Sequence, residues 1–426
     1  MIRGIRPIAV LITALLVCAA ARQEPRPPDA QAEQPPGVTI LYLNDVEGRL
    51  EVCDCYKKMP RGLARGAALI RLIRRDNPNV VVVDSGDVVG ARPTSALVET
   101  LVQAYRSFAC AAINLSPRDA EYLCKLGEDH EGGLLLVATN APQDPTYADV
   151  RRRIVTGVGG HKIAILGVAA GERWRDPAAA VQDEIGKARG EAELVVLLSR
   201  LPLDQNRSLA SDVPGIDILI GAADASKLTA PERVGRTWIV PTGRFGQSVG
   251  RLDVRFGPDE PQIAWSQVSI SADIPKDEAL QKMIREHYAD LAKRFEGMGP
   301  GPDQAVRVPF AIEPECATCH GRAHLAWRRS RHSEAYSTLE ERDRNLVPEC
   351  LACHSEFYRA TKMPSKAPDA QRGIECATCH GDGKAHTADP KPGSIQRFDL
   401  TKCLECHDEE HSPNFDPKAG WEKIKH

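Results

Sequence analysis

Seven apolar runs punctuate the first 256 residues: VTILYL from Val38, VVVVDSG from Val80, LLLVATN from Leu134, HKIAILGVA from His161, AELVVLLS from Ala192, IDILIG from Ile216 and TWIVPTG from Thr237. They are too continuous to alternate with polar residues, so they predict strands buried on both faces. Stretches of helical spacing separate them, such as GLARGAALIRLIRR from Gly62. Alternation of this kind predicts an α/β layered body. Farther on, residues 274–298 place Leu280, Met283, Ile284, Tyr288 and Leu291 on one helical face. This segment reads as a connecting helix, broken by GPGPDQAVRVP, with a domain boundary near residue 300. After residue 312 the long apolar runs stop and Arg, Lys, Glu and Pro prevail.

Several runs end at their C-terminal edges in polar residues: Asn44 and Asp45, Asp84 and Asp87, Asn140, Ser199. Ligands of α/β folds gather at such edges. The 426 residues suffice for two or three domains. A net charge of −3, with 42% hydrophobic and 27% charged residues, gives no general reason to expect nucleic acid or an anionic membrane as partner.

The N-terminus carries an address. Arg3 and Arg6 precede IAVLITALLVCAAA, a run too short to span a bilayer that ends in small residues. Residues 1–21 therefore read as a leader cleaved after Ala21, and the protein as exported to the periplasm or cell surface. Cys18 offers a competing lipid-anchor reading, weakened by the bulk of Val17. Residues 22–36 are polar and proline-rich, a flexible tether.

Eight of the 13 cysteines fall in four copies of one pattern: CATCH at 316–320, CLACH at 350–354, CATCH at 376–380 and CLECH at 403–407. C-x-x-C-H is the attachment sequence of c-type haem. The thiols of Cys316 and Cys319, Cys350 and Cys353, Cys376 and Cys379, and Cys403 and Cys406 would each add to the two vinyl groups of one porphyrin. The adjacent His320, His354, His380 or His407 then supplies the proximal iron ligand. A zinc site or a redox disulfide would not need a histidine after every second cysteine. About 115 residues cannot enclose four porphyrins and also build an aliphatic core, so the cofactors themselves must supply the buried apolar area. Five histidines compete for the opposite iron faces: His324, His332, His386, His411 and His426.

RHSEAYSTL, NLVPECLACH, GIECATCHGDGKAH and CLECHDEEHSPNFDPKAGWEKIKH resemble the cytochrome c-554/c-prime-type multihaem family over residues 312–426. The resemblance implies distal ligands from outside the attachment motifs, first at His332 and His386, the latter on a haem other than its own neighbour, and third at His426. His411 stands where relatives often have asparagine, and His324 is four residues from a proximal histidine; both rank lower. The family also contains haems with an open sixth position.

Residues 37–272 resemble the calcineurin-like metallophosphoesterases, in particular the 5′-nucleotidase branch. The resemblance is carried by ILYLNDVEGRLEVCDCYKKMPRGLARGAALI, VVVDSGDVVG, AAINLSPRDAEYL, VVLLSR and DILIGAADAS. It implies a two-metal centre in which Asp45, Asp87 and Asn114 occupy retained ligand places. Glu47 and Arg200 stand where the family has histidine, and Ala223 and Ala225 replace its G-H-x-H pair. Alanine cannot ligate, and arginine places a permanent cation where the metal belongs. The expectation is a relic without a divalent metal. Among Cys53, Cys55, Cys110 and Cys124, disulfides of open pairing are expected in an oxidising compartment, with a small thiolate metal site as the alternative.

The sequence thus predicts a leader (1–21), a tether (22–36), a metallophosphoesterase-like α/β domain (37–272), a connecting helix and linker (273–311), and a small, mostly helical and irregular tetrahaem cytochrome c domain (312–426). The leading function is electron transfer with redox proteins, or with a small-molecule donor or acceptor. The alternatives are a multihaem oxidoreductase acting on a small nitrogen or oxygen species and a haem-bearing phosphoesterase.

Overall fold

The computed structural model describes residues 37–51, 62–90, 93–126, 134–295, 308–364, 373–408, 411–412 and 414–426. The leader, the tether, Cys18, Cys53, Cys55 and the expected boundary near residue 300 lie outside them. Among the described residues no helix is long and apolar enough to cross a membrane.

The strands of the first body run β1 (Val38–Leu43), β2 (Val80–Asp84), β3 (Ala112–Asn114), β4 (Leu136–Val137), β5 (Arg153–Val158) and β6 (His161–Ala169). They continue as β7 (Leu194–Arg200), β8 (Ile218–Ile220), β9 (Glu232–Val234), β10 (Thr237–Val240), β11 (Ser248–Arg255) and β12 (Gln262–Ser269). The helices are α1 (Leu63–Asp76), α2 (Ser95–Ser107), α3 (Pro117–Leu123), α4 (Pro177–Glu191), α5 (Leu203–Asp212) and α6 (Glu278–Phe295). Two six-stranded sheets result, in the orders β12-β11-β1-β2-β3-β4 and β5-β6-β7-β8-β10-β9.

The residue pattern explains the layering. Val38, Ile40 and Tyr42 of β1 meet Ile163, Ile165, Leu194, Val196 and Leu198 of the second sheet in one core between the sheets. The alternate residues Leu41 and Leu43 face α1, α2 and α6, while Leu166, Val168, Val195 and Leu197 face α4 and α5. Period-two geometry sends alternate residues to opposite faces, so a strand buried on both sides must be apolar throughout. The layers therefore run helix, sheet, sheet, helix. Several helices begin on a polar cap: Thr94, Ser116 and Asp176 accept from Leu97, Asp119 and Ala179 backbone nitrogens, with Pro117 and Pro177 opening α3 and α4.

Two expectations change here. Helix α6, read as a connector, buries Leu280 and Ile284 in the same core as α1 and α2 and so completes the outer layer. Cys110 and Cys124 are both free thiols, not members of a disulfide. Cys110 Sγ lies 3.4 Å from the Ala112 carbonyl oxygen beneath the first sheet, whereas Cys124 ends α3.

Beyond residue 307 the chain forms short helices: α7 (Glu313–Ala317), α8 (Gly321–Arg328), α9 (Ser337–Glu340), α10 (Pro348–His354), α11 (Glu356–Thr361), α12 (Cys376–His380), α13 (Lys384–Ala388) and α14 (Pro417–Ile424). Their common core is small: Val308, Phe310, Tyr336, Leu339, Leu351, Phe357 and Ala377. Helices α7, α8, α13 and α14 bury no residue. Protein atoms alone do not give this region a core of ordinary size.

Candidate functional site

At the C-terminal edge of the first sheet, three residues with side chains hold the left-handed conformation: Asp45 (φ 51°), Glu47 (φ 49°) and Asp87 (φ 57°). Such backbone strain persists where the surroundings over-determine it and clusters at functional sites. Gly86 lets the turn close, because a Cβ there would stand 2.7 Å from the Asn114 carbonyl oxygen and 3.1 Å from Arg200 Cγ. These turns aim Asp45 and Asp87 at one point.

Arg200, from the end of β7, occupies that point. Its Nη1 lies 2.7 Å from Asp45 Oδ1 and its Nη2 lies 2.5 Å from Asp87 Oδ2. Nη1 also donates to Asn44 Oδ1 at 3.0 Å and to the Ala222 carbonyl at 3.3 Å. Arg244 approaches from the other side, with Nε 3.2 Å from Asp45 Oδ2 and Nη2 3.5 Å from Glu47 Oε1. The Asp45 oxygens are close to both cations but not aligned for hydrogen bonds. Burial pushes the Asp45 carboxyl up to about 6, outweighing the opposing pull of Arg200.

Asn114 is used structurally: its Nδ2 donates to the Ser85 and Val168 carbonyls, each at 3.0 Å, and so ties the two sheets together. Ala225 is buried and Ala223 exposed, and neither carries a donor atom. Glu47, the only acidic replacement that could ligate, faces Arg244. Among the described residues no three His, Cys, Asp or Glu side chains are grouped to hold a metal ion. The phosphoesterase metal site is degenerate, and a guanidinium bridges the two carboxylates, Asp45 and Asp87, that stand at its retained ligand places.

Behind it, Asp84 is fully buried; it accepts the Tyr105 hydroxyl at 2.6 Å and the Gly86 N–H at 2.7 Å. Burial lifts its carboxyl to about 7. A carboxyl whose folded value exceeds its unfolded value near 4 binds its proton more tightly when folded, so its stability contribution is fullest at low pH. That contribution is lost as pH rises from about 4 through 7. Asp84→Asn, which keeps an acceptor for Tyr105, should therefore flatten the decline. Urea unfolding followed by circular dichroism at pH 4.5 and 8 checks this; parallel slopes for wild type and variant would refute it.

The attachment motifs form a second site. In each, the first cysteine, the second cysteine and the histidine stand at i, i+3 and i+4 on one face of a helical turn. The backbone N–H groups of His320 and His407 donate to the Cys316 and Cys403 carbonyls at 3.0 and 2.8 Å, closing those turns.

The structure then brings three distal candidates to proximal histidines from other motifs. Ring centroids are 6.1 Å apart for His320 and His386, 6.2 Å for His332 and His407, and 6.0 Å for His380 and His426. Two imidazole nitrogens each roughly 2 Å from a shared metal put ring centroids about 6 Å apart. Several rings are also held by Nδ1, which leaves Nε2 for a metal. His386 bonds Ser394 Oγ at 2.8 Å, His407 bonds Ser412 Oγ at 3.0 Å, and His354 bonds the Ala335 carbonyl at 2.6 Å. These residues fit haem iron.

His324 is engaged otherwise: its Nε2 pairs with Glu313 and its ring lies against Trp327. His411, ranked low from the sequence, is held through Nδ1 by Asp408 at 2.8 Å. The thiols also order the motifs in space. The Cys316 thiol neighbours that of Cys376, Cys353 neighbours Cys406, and Cys379 neighbours Cys403 and Cys406. The motifs therefore stand in a row: first, third, fourth, second.

Comparison with known proteins agrees with both halves. Residues 315–381 match the family model of cytochrome c554 and c-prime. Mouse 5′-nucleotidase is 23% identical over 339 residues, 66% of this chain and 57% of that protein. The crystal structure of a 5′-nucleotidase precursor from Thermus thermophilus superposes with a TM-score of 0.51 at 18% identity, covering 60% of this chain and 59% of that one. A Thermus thermophilus sulfate thiohydrolase gives 0.49 at 18% identity, covering 66% and 64%. The chain thus spans about three fifths of the length of these relatives. Its first body matches the calcineurin-like, 5′-nucleotidase phosphoesterases with a degenerate metal site, and its C-terminal region matches the cytochrome c554 and c-prime family.

Proposed function

We propose that the chain is an exported tetrahaem electron carrier whose phosphoesterase-like body is a structural module without phosphoesterase activity. The observation that carries this reading is the set of three imidazole pairs at 6.0–6.2 Å, each joining a proximal histidine to a histidine from a different motif segment. When bound, haem supplies one-electron chemistry at iron, and the chain's residues fix its axial ligands and surroundings. His386, His426 and His332 serve the first, third and fourth motifs as distal ligands. His411 serves the second, its Nδ1 fixed by Asp408. The interlock has a structural effect as well: segments that share little apolar contact are tied together through their irons, as metals tie other small scaffolds.

The row of adjacent motifs suits transfer along the domain to a redox partner protein. Export rests on the leader pattern of residues 1–21 and on the compartment in which c-type attachment occurs. The phosphoesterase alternative is disfavoured by the Arg200 bridge.

The purified protein should exceed the mass of its cleaved polypeptide by four haems and keep them through acid-acetone extraction. Fewer than four retained haems, or zinc in their place, would remove the basis of this reading.

A further inference from the structure

The two ends of the row differ. The second motif rests on the first body. There Arg344 Nη2 lies 2.7 Å from Glu51 Oε2, and its guanidinium carbon stands 3.9 Å over the Tyr288 ring of α6. Glu51 is further held by Lys276 at 3.1 Å and Gln281 at 2.8 Å. This end is covered by protein.

The first motif stands at the other end of the row. Helix α8, which follows directly, turns Trp327 inward, where Nε1 donates to the Ile374 carbonyl at 2.7 Å. It turns Arg322, Leu325, Arg328 and Arg329 outward, and Arg331 is exposed just beyond. Leu325 is 55% exposed, the most of any large apolar residue described. From Cys316 to Ser333 there are four arginines and no carboxylate, in a chain of net charge −3; Glu313, which pairs with His324, and the exposed Glu315 and Glu334 flank the stretch. The other three motif segments all carry carboxylates: Glu356, Asp382 and Asp389, and Glu405 and Asp408. None of the four arginines makes an ion pair among the described residues. Clustered like charges repel, whereas a patch dominated by one sign steers an oppositely charged partner and speeds encounter. An exposed leucine amid them provides the apolar centre of a small, transient contact of the kind redox proteins form.

We infer that the outer face of α8, with Arg322, Leu325, Arg328, Arg329 and Arg331, is the docking surface for an acidic redox protein that exchanges electrons at the first-motif end. The inference rests on the electron-carrier reading. An acidic protein is favoured over an anionic membrane because the patch is small, holds one apolar residue and directly follows an attachment motif.

The test uses the full holoprotein, its four haems first verified by visible spectrum and mass. It is titrated with purified flavodoxin as the acidic probe and with basic mitochondrial cytochrome c as control, by calorimetry and stopped-flow at low and high salt. Flavodoxin should bind and exchange electrons faster at low salt, and the basic control should not. Arg328→Glu combined with Arg329→Glu should weaken flavodoxin binding roughly tenfold and abolish the salt dependence, leaving haem content and spin state unchanged. Unaltered flavodoxin binding in a four-haem variant would overturn the docking surface and leave the carrier intact. Loss of self-association in the sedimentation velocity of the variant, or loss of binding to phosphatidylglycerol vesicles, with no flavodoxin effect, would also overturn it, by naming a second copy or a lipid surface as the occupant. A chain without haem would defeat the carrier reading before the titration begins.

Discussion

Arg200→Ala should destabilise the first body by about 3–5 kcal/mol, the usual cost of removing one partner from a buried ion pair. Arg200 is 9% exposed and Asp45 1%, so Asp87 would lose its counter-ion and the buried Asp45 would keep only Arg244. Urea unfolding followed by circular dichroism measures the loss. Adding Asp45→Asn and Asp87→Asn to the same chain should recover much of it, because the uncompensated charges go with the carboxylates. Millimolar Mn2+ should raise the melting temperature of the single variant and leave the wild type unchanged, since only the variant presents free carboxylates to a cation. A single variant as stable as the wild type would show that the bridge contributes nothing to the fold. Should it fail to fold at all, the triple variant still decides the question.

The second large effect concerns His386. Neutral imidazole on each axial face keeps haem iron low-spin and closed to outside ligands. On the proposed tetrahaem reading, His386→Ala should retain four haems, because Cys316, Cys319 and His320, which would attach and ligate the first, are untouched. It should gain a high-spin ferric component in its electron paramagnetic resonance spectrum and bind carbon monoxide when reduced. Paramagnetic NMR should locate the change at the first attachment motif, 6.1 Å across from His386, and not at the third, which is its neighbour in sequence. His324→Ala should leave all of these signals alone, since its ring is already paired with Glu313. A spin state that responds to His324→Ala and ignores His386→Ala would overturn the ligand assignment.

The carboxyl chemistry and the ligand pairing were legible in the sequence to different degrees. Asp45, Asp87 and Arg200 could be flagged from motif positions alone, because each sits beside an unmistakable apolar run. That the guanidinium reaches both carboxylates depends on β1, β2 and β7 delivering three strand ends to one edge across two sheets. Strands β3, β5, β9, β11 and β12 escaped the hydrophobic reading for identifiable reasons. β3 and β9 are three residues long. β5 and β12 are edge strands, with most residues half-buried or exposed, so their runs are diluted by polar residues. Gly250 and polar positions interrupt β11, where a Cβ would come within 2.0 Å of the Tyr42 ring.

What the sequence determined by itself is local. Cys-x-x-Cys-His is written within one helical turn, so the attachment chemistry needs no knowledge of the fold. Continuous apolar runs declare strands buried on both faces, and alanine or arginine in place of histidine declares a lost ligand wherever the chain goes. Tertiary structure alone decided which distant segments meet: His386 with His320, His332 with His407, His426 with His380, the row of motifs from first to second, and Arg344 on Glu51. Such meetings depend on how intervening loops close and on which apolar faces pack together. Neither is encoded in the spacing around any single residue, because loop-closure entropy changes only slowly with loop length and so favours no particular partner.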